Sequence, residues 1–156
     1  ALASVILGKG LGSGVARASG GQLRLDVATD LTTFNNVPAV NQLPGGPFPT
    51  GPFYIEGPIF PNGTLDPTGD PGGAASTGTF RCWGWIINGS GIAAVSQAYE
   101  LDGWGEIQVQ GLEDGSRAIT GGTGHFTNVR GEGSFEFINP ANLSFHAAFT
   151  LRGAGA

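Results

Sequence analysis

The chain has no methionine, one cysteine (Cys82), one lysine (Lys9) and two histidines (His125 and His146) in 156 residues. Each shortage excludes something. A lone cysteine cannot close an internal disulfide, so no cross-linked framework substitutes for a core. Seven basic residues against twelve acidic ones leave a net charge of −5, which argues against a nucleic-acid surface. The two histidines and Cys82 show no ligand spacing with the carboxylates, so neither a metal nor another cofactor is expected. No apolar run approaches the roughly 18 residues of a membrane-spanning helix. No serine occupies a Gly-x-Ser-x-Gly elbow between a strand and a helix, which argues against a serine hydrolase. Glu100, Asp102, Glu106, Glu113 and Asp114 read as solvated strand ends and turns rather than a paired acid and base. Apolar periodicity of the helical kind never persists beyond a turn or two.

What the chain does have is glycine (29), proline (10) and phenylalanine (10), with 40% hydrophobic residues overall. Turn formers and core formers together fit many short strands joined by tight turns, in a chain long enough to bury a core. Residues 1–21 are small and glycine-studded. They read as a flexible arm, or as an arm that adds a strand to its own sheet or to a neighbour's. Residues 22–156 form the expected single domain.

Gln22–Leu31 alternates cleanly, with Leu23, Leu25, Val27 and Leu31 on one face, which predicts one strand. Four prolines between residues 32 and 50 predict a long loop. Gly51–Phe60 reads as a short strand broken at Pro58, and 61–77 as a second exposed loop. From Gly78 onward strands follow each other closely. Thr79–Asn88 places Phe80, Cys82, Gly84 and Ile86 on one face and Arg81, Trp83, Trp85 and Ile87 on the other. Strands over 92–101, 105–112, 117–120 and 143–152 are separated by turns at 88–91, 102–103 and 113–116. Seven or eight such strands imply a sandwich or a barrel.

The stretch Ala118-Ile-Thr-Gly-Gly-Thr-Gly-His-Phe126, with Arg130-Gly131 after it, has a glycine corner from which a strand is expected to resume at Phe126. A phosphate-binding reading of these glycines needs a following helix, and none is expected. The stretch resembles the signature shared by dirigent proteins and allene oxide cyclases. Tyr99-Glu-Leu-Asp-Gly-Trp-Gly-Glu-Ile-Gln-Val-Gln-Gly111 is similar to the cyclase pattern as well, so the resemblance covers roughly residues 78–153. It implies an all-β fold, an eight-stranded antiparallel β-barrel, and trimers as the assembly.

The resemblance also implies a function: binding a small apolar or phenolic ligand in the barrel and guiding its cyclisation or stereoselective coupling. An enzyme of this kind would be a cofactor-independent cyclase or isomerase, and a non-catalytic carrier would use the same pocket. Cys82 matches a pocket cysteine of the cyclases, and Asn62 falls near their asparagine. Asp26 is among the nearest counterparts of their first-strand glutamate. These three are the candidate catalytic residues. By composition alone Cys82 equally reads as a small buried hydrophobe and Asn62 as a turn residue. Candidate ligand-binding residues are Phe80, Arg81, Tyr99, Phe126, Phe135, Phe145 and His146. The alternative is an extracellular assembly protein whose arm docks on neighbouring subunits. Low charge and N-x-S/T sequons at Asn62, Asn88 and Asn142 favour secretion and glycosylation.

Overall fold

A computed structural model describes residues 21–36, 51–87 and 91–153. Of the arm expected over 1–21 only Gly21 is described, and it opens a strand; of the loop expected over 32–50, residues 32–36 lie in a strand rather than a loop, while 37–50 and the Asn88–Ser90 turn lie outside the described residues. No helix among the described residues is long and apolar enough to cross a membrane.

Among the described residues, nine strands make one antiparallel sheet: β1 (Gly21–Val27), β2 (Asp30–Asn36), β3 (Gly51–Pro61), β4 (Gly78–Ile86), β5 (Ala93–Leu101), β6 (Gly105–Leu112), β7 (Arg117–Gly122), β8 (Arg130–Asn139) and β9 (Ser144–Arg152). Their order is β1-β9-β8-β7-β6-β5-β4-β3-β2, and β1 also pairs with β3. That pairing closes eight strands into a barrel, while β2 continues the course of β1 along the first half of β3. Full closure removes the exposed edges that an open sheet would present.

Alternation decides which side chains fill the bore. On β5, Ala93, Val95, Gln97, Tyr99 and Leu101 are buried at every second position. Their partners on β4 are Ile86, Gly84, Cys82, Phe80 and Gly78. Leu25 and Val27 of β1, Ile107 and Val109 of β6, and Phe145, Ala147, Phe149 and Leu151 of β9 complete the core.

Three elements differ from their sequence expectations. The first strand stops at Val27 because the chain steps off β3 at Ala28, whose N–H donates to the Pro58 carbonyl. Leu31, past that step, is exposed. Pro58 does not interrupt β3, which runs eleven residues. Its missing N–H faces the β1–β2 break rather than the ladder to β4, so no strand hydrogen bond is lost. Phe126 does not open a strand. Gly124–Phe126 form a 3₁₀ turn, and β8 begins at Arg130.

The signature glycines act as a backbone clamp. The Thr123 N–H donates to the Glu106 carbonyl at 2.9 Å, and the His125 N–H to the Trp104 carbonyl at 2.8 Å. Gly105 (φ +117°) and Gly124 (φ +58°) hold left-handed backbone at this contact, and a Cβ on either would strike a carbonyl of the opposite segment. Gly103 (φ +75°) has a similar backbone but open space around it. Urea denaturation should therefore show Gly105→Ala costing about 3 kcal/mol, strain and clash together. Gly103→Ala should cost about 1 kcal/mol; equal losses would rule out the clamp.

Candidate ligand-binding site

Polar side chains inside an apolar barrel need mutual partners, and four of them find each other here. Gln97, on β5 between Val95 and Tyr99, is the hub. Its Oε1 accepts from the Tyr99 hydroxyl at 3.1 Å and from Arg117 Nη1 at 3.2 Å. Its Nε2 donates to Cys82 Sγ at 3.8 Å. Arg117, at the start of β7 and 5% exposed, also donates from Nε to the Leu112 carbonyl and from Nη2 to the Glu113 carbonyl, both at 3.2 Å. Its guanidinium lies 4.1 Å from the centroid of the Phe135 ring, a cation–π contact. Room for the arginine comes from Gly111, where a Cβ would stand 3.1 Å from Arg117 Cγ.

Aromatic rings enclose this cluster. Phe80 packs on Tyr99 at 5.1 Å and on Phe145 at 5.2 Å, and Tyr99 packs on Phe149 at 4.9 Å. Phe135 touches Phe145 at 6.1 Å and Phe149 at 6.0 Å. Beyond these rings, at the end of the barrel near the β6–β7 turn, inward-facing positions lose their cover. Phe137 pairs with the buried Phe145 yet is 57% exposed. Phe34, packed on the inward Phe53 at 6.1 Å, is 44% exposed. Phe53 and Phe135 are partly buried. Among the described residues the bore is filled at its middle, and its inward rings are partly exposed at this end, an aromatic mouth.

Burial keeps the thiol and the phenol of the cluster un-ionised near neutral pH. Burial pushes the Cys82 thiol up to about 12; the Glu113 charge adds to this, while the Gln97 hydrogen bond and the Arg117 charge oppose it. Burial also holds the Tyr99 hydroxyl well above its usual value, against the opposing charge of Arg117. Desolvation raises the Glu113 carboxyl and Arg117 opposes it; because that side chain also reaches solvent, the direction is what counts. Arg117 is thus the permanent charge of the cluster.

Of the sequence-predicted residues, Cys82, Phe80, Tyr99, Phe135 and Phe145 converge inside the barrel. Phe126 is buried under the 3₁₀ turn at the other end. Asp26, His146 and Arg81 are on the outer face. Asp26 is fully buried there, accepting from the Thr64 and Leu65 N–H groups at 2.8 and 3.0 Å and meeting His146 Nδ1 at 2.7 Å. Arg81 forms ion pairs with Glu100 and Glu56. Asn62 is exposed in the turn after β3. The structure therefore does not bring Asp26 and Asn62 to Cys82. Sequence reasoning passed over Gln97 and Arg117, although their phase with Tyr99 and Ile119 was a readable signal.

A concavity of about 790 Å³ lies at the opposite end between the β5–β6 turn and the 3₁₀ turn. Trp104 and His125 stack there at 5.1 Å beside Asp102 and Asn128. It sits apart from the buried polar cluster.

No protein-family model and no curated protein sequence matches the chain. Among solved structures, pyocyanin demethylase aligns with a TM-score of 0.60 at 18% identity, covering 83% of this chain and 98% of that one. The pterocarpan synthase dirigent protein aligns with a TM-score of 0.55 at 17% identity, covering 85% and 82%. The chain has a dirigent-like barrel fold. Within this barrel, the buried cluster and the aromatic mouth are features of the chain's own side chains, since identities this low speak for the fold alone.

Three measurements check these assignments. The thiol should resist iodoacetamide at pH 8 in the folded protein and react after unfolding; rapid labelling of the native state would contradict its burial. With the folded value raised from 9.0 to about 12, this contribution is complete below pH 9 and lost as pH rises toward 12, because the unfolded thiol ionises first. Cys82→Val should flatten that alkaline loss. Asp26→Ala strands two N–H groups and should cost about 2–4 kcal/mol in denaturant unfolding, and a neutral result would remove its anchoring role.

Proposed function

We propose that the barrel binds a small apolar or phenolic ligand in the aromatic mouth at the Arg117 end and steers its cyclisation or stereoselective coupling. The observation that carries this reading is the exposure, among the described residues, of the inward-facing rings Phe34 and Phe137 at one end of the barrel. Large apolar side chains facing into a barrel are ordinarily covered, and an open aromatic wall beside a few convergent polar groups is the usual form of a small-molecule site. Names of the two similar barrels, a pyocyanin demethylase and a pterocarpan synthase, support a ring-containing guest. Cys82 and Tyr99 would act un-ionised, as donors or packing surface. Asp26 and His146 would act from outside, by holding the strands that carry Phe145 and Leu25. Rate enhancement would come from confinement and orientation.

The test is uptake of the neutral dye N-phenyl-1-naphthylamine, displaced by 4-propylphenol. Phe137→Ala should weaken uptake about five- to tenfold, close to 1–1.4 kcal/mol. No saturable uptake by the wild-type protein would end the reading. Coupling of phenoxy radicals made by an added one-electron oxidant should then give an unequal enantiomer ratio in the presence of the protein.

One observation favours the assembly reading as a second. Tyr54 and Trp83 are register partners on the outer face, Trp85 lies one pair further along, and all three are exposed with Leu112 nearby. Exposed apolar patches of this kind mark contact surfaces, and a second copy of the chain is the simplest partner. Trp83→Gln with Trp85→Gln should lower the sedimentation coefficient if copies meet here, and leave dye uptake intact.

A further inference from the structure

We infer that the guest of the aromatic mouth is an anion: a planar aromatic molecule whose negatively charged oxygen, on a carboxylate or a phenolate, docks against Arg117. The inference rests on the ligand-binding reading above and adds the charge of the ligand to it.

A guanidinium stays charged at every accessible pH, and burying it without a counter-charge is costly. Arg117 is buried, yet among the described residues no carboxylate lies within 4.0 Å of it; the ion pairs present join Arg81 to Glu56 and Glu100, and His146 to Asp26. Segments 1–20, 37–50, 88–90 and 154–156 contain no Asp or Glu. Glu113 gives Arg117 its main-chain carbonyl; its carboxylate feels the guanidinium charge from beyond 4.0 Å without forming a contact ion pair. The chain has twelve acidic residues, so the missing partner reflects placement rather than scarcity.

Donor counting points the same way. Of the five N–H groups of a guanidinium, Leu112, Gln97 and Glu113 take one each. Two remain without an acceptor among the described residues, one on each terminal nitrogen, matching the two oxygens of a carboxylate. Phe135 covers the guanidinium face. A ring entering past the exposed Phe137 would lie against Phe135 and bring a charged oxygen to the remaining donors. Gln97 is committed to Tyr99 and Arg117 through its oxygen, so it adds no competing negative charge.

The experiment compares matched pairs by displacement of N-phenyl-1-naphthylamine at low salt: 4-methoxycinnamate against its methyl ester, and 4-nitrophenolate at pH 8.5 against 4-nitroanisole. Wild-type protein should bind at least one anion about tenfold more tightly than its neutral partner, as expected for a charge-assisted pair. The pair showing the larger ratio separates carboxylate from phenolate recognition. Arg117→Gln should erase that ratio, and Arg117→Lys should preserve part of it. Neutral partners binding as tightly as the anions to wild-type protein would overturn the inference while leaving the pocket in place. Failure of the dye itself to bind would instead remove the pocket reading on which it rests. The wild-type ratio decides the matter even where Arg117→Gln fails to fold.

Discussion

Closing the ring depends on a seam of three residue pairs, Leu25–Pro61, Asp26–Phe60 and Val27–Ile59. Three pairs make a short ladder, and an open sheet would expose both of its edges. Asp26 stands at the centre of the seam, where its carboxylate draws the amides of Thr64 and Leu65 and the ring of His146 together. The 61–77 loop is thereby folded back over the joint. Farther along, the side-chain amides of Asn139 and Asn142 both donate to the Thr68 carbonyl, and the Thr29 hydroxyl donates to the Leu143 carbonyl. Anchoring the seam accounts for a fully buried carboxylate on the outside of a barrel. Charge-assisted hydrogen bonds to backbone amides are strong, and here they tie three chain segments at once.

Closure also sets the size of the bore, and eight strands leave it just wide enough for side chains to fill. Large rings must then face small residues. Arg117 is flanked on its inward side by Gly111 and Gly133, the latter its register partner on β8. A Cβ at Gly133 would stand 2.8 Å from the Phe135 ring, which folds back over that glycine toward the guanidinium. The buried arginine and its aromatic cover thus follow from two glycines on neighbouring strands, the same residue type that elsewhere clamps Trp104 to His125.

Alternation made most of this legible in advance. The inward set Phe80, Cys82 and Ile86 and the outward set Arg81, Trp83 and Trp85 followed from period two alone, as did Phe145, Ala147, Phe149 and Leu151. The barrel, as opposed to a sandwich, came from the resemblance of the glycine signature, because strand periodicity is identical in both. Three features were not legible, each for a physical reason. The break after Val27 is set by the approach of Ala28 to Pro58, a contact thirty residues away in the chain. Pro58 looked like a breaker because its effect depends on which side of the strand its nitrogen faces. Asp26 shared a face with Arg24 and Asp30 and looked solvated or catalytic, since nothing local says that a later loop will bury it. Gln97 and Arg117 were hidden differently: polar residues in phase with apolar ones read as exceptions until the fold brings them together.

The chemistry left to such a site is constrained by what its groups cannot do. Neither the Cys82 thiol nor the Tyr99 hydroxyl ionises near neutral pH, so neither would serve as a base or an anionic nucleophile there. What remains is a fixed positive charge, oriented hydrogen-bond donors and a wall of rings. Such groups would favour one pose of a bound guest over others and would stabilise negative charge developing near Arg117. Reactions in which the guest forms its own new bond, by ring closure or by coupling of two reactive halves, need that and little more. A reaction that begins with removal of a proton would need a base other than the Cys82 thiol or the Tyr99 hydroxyl.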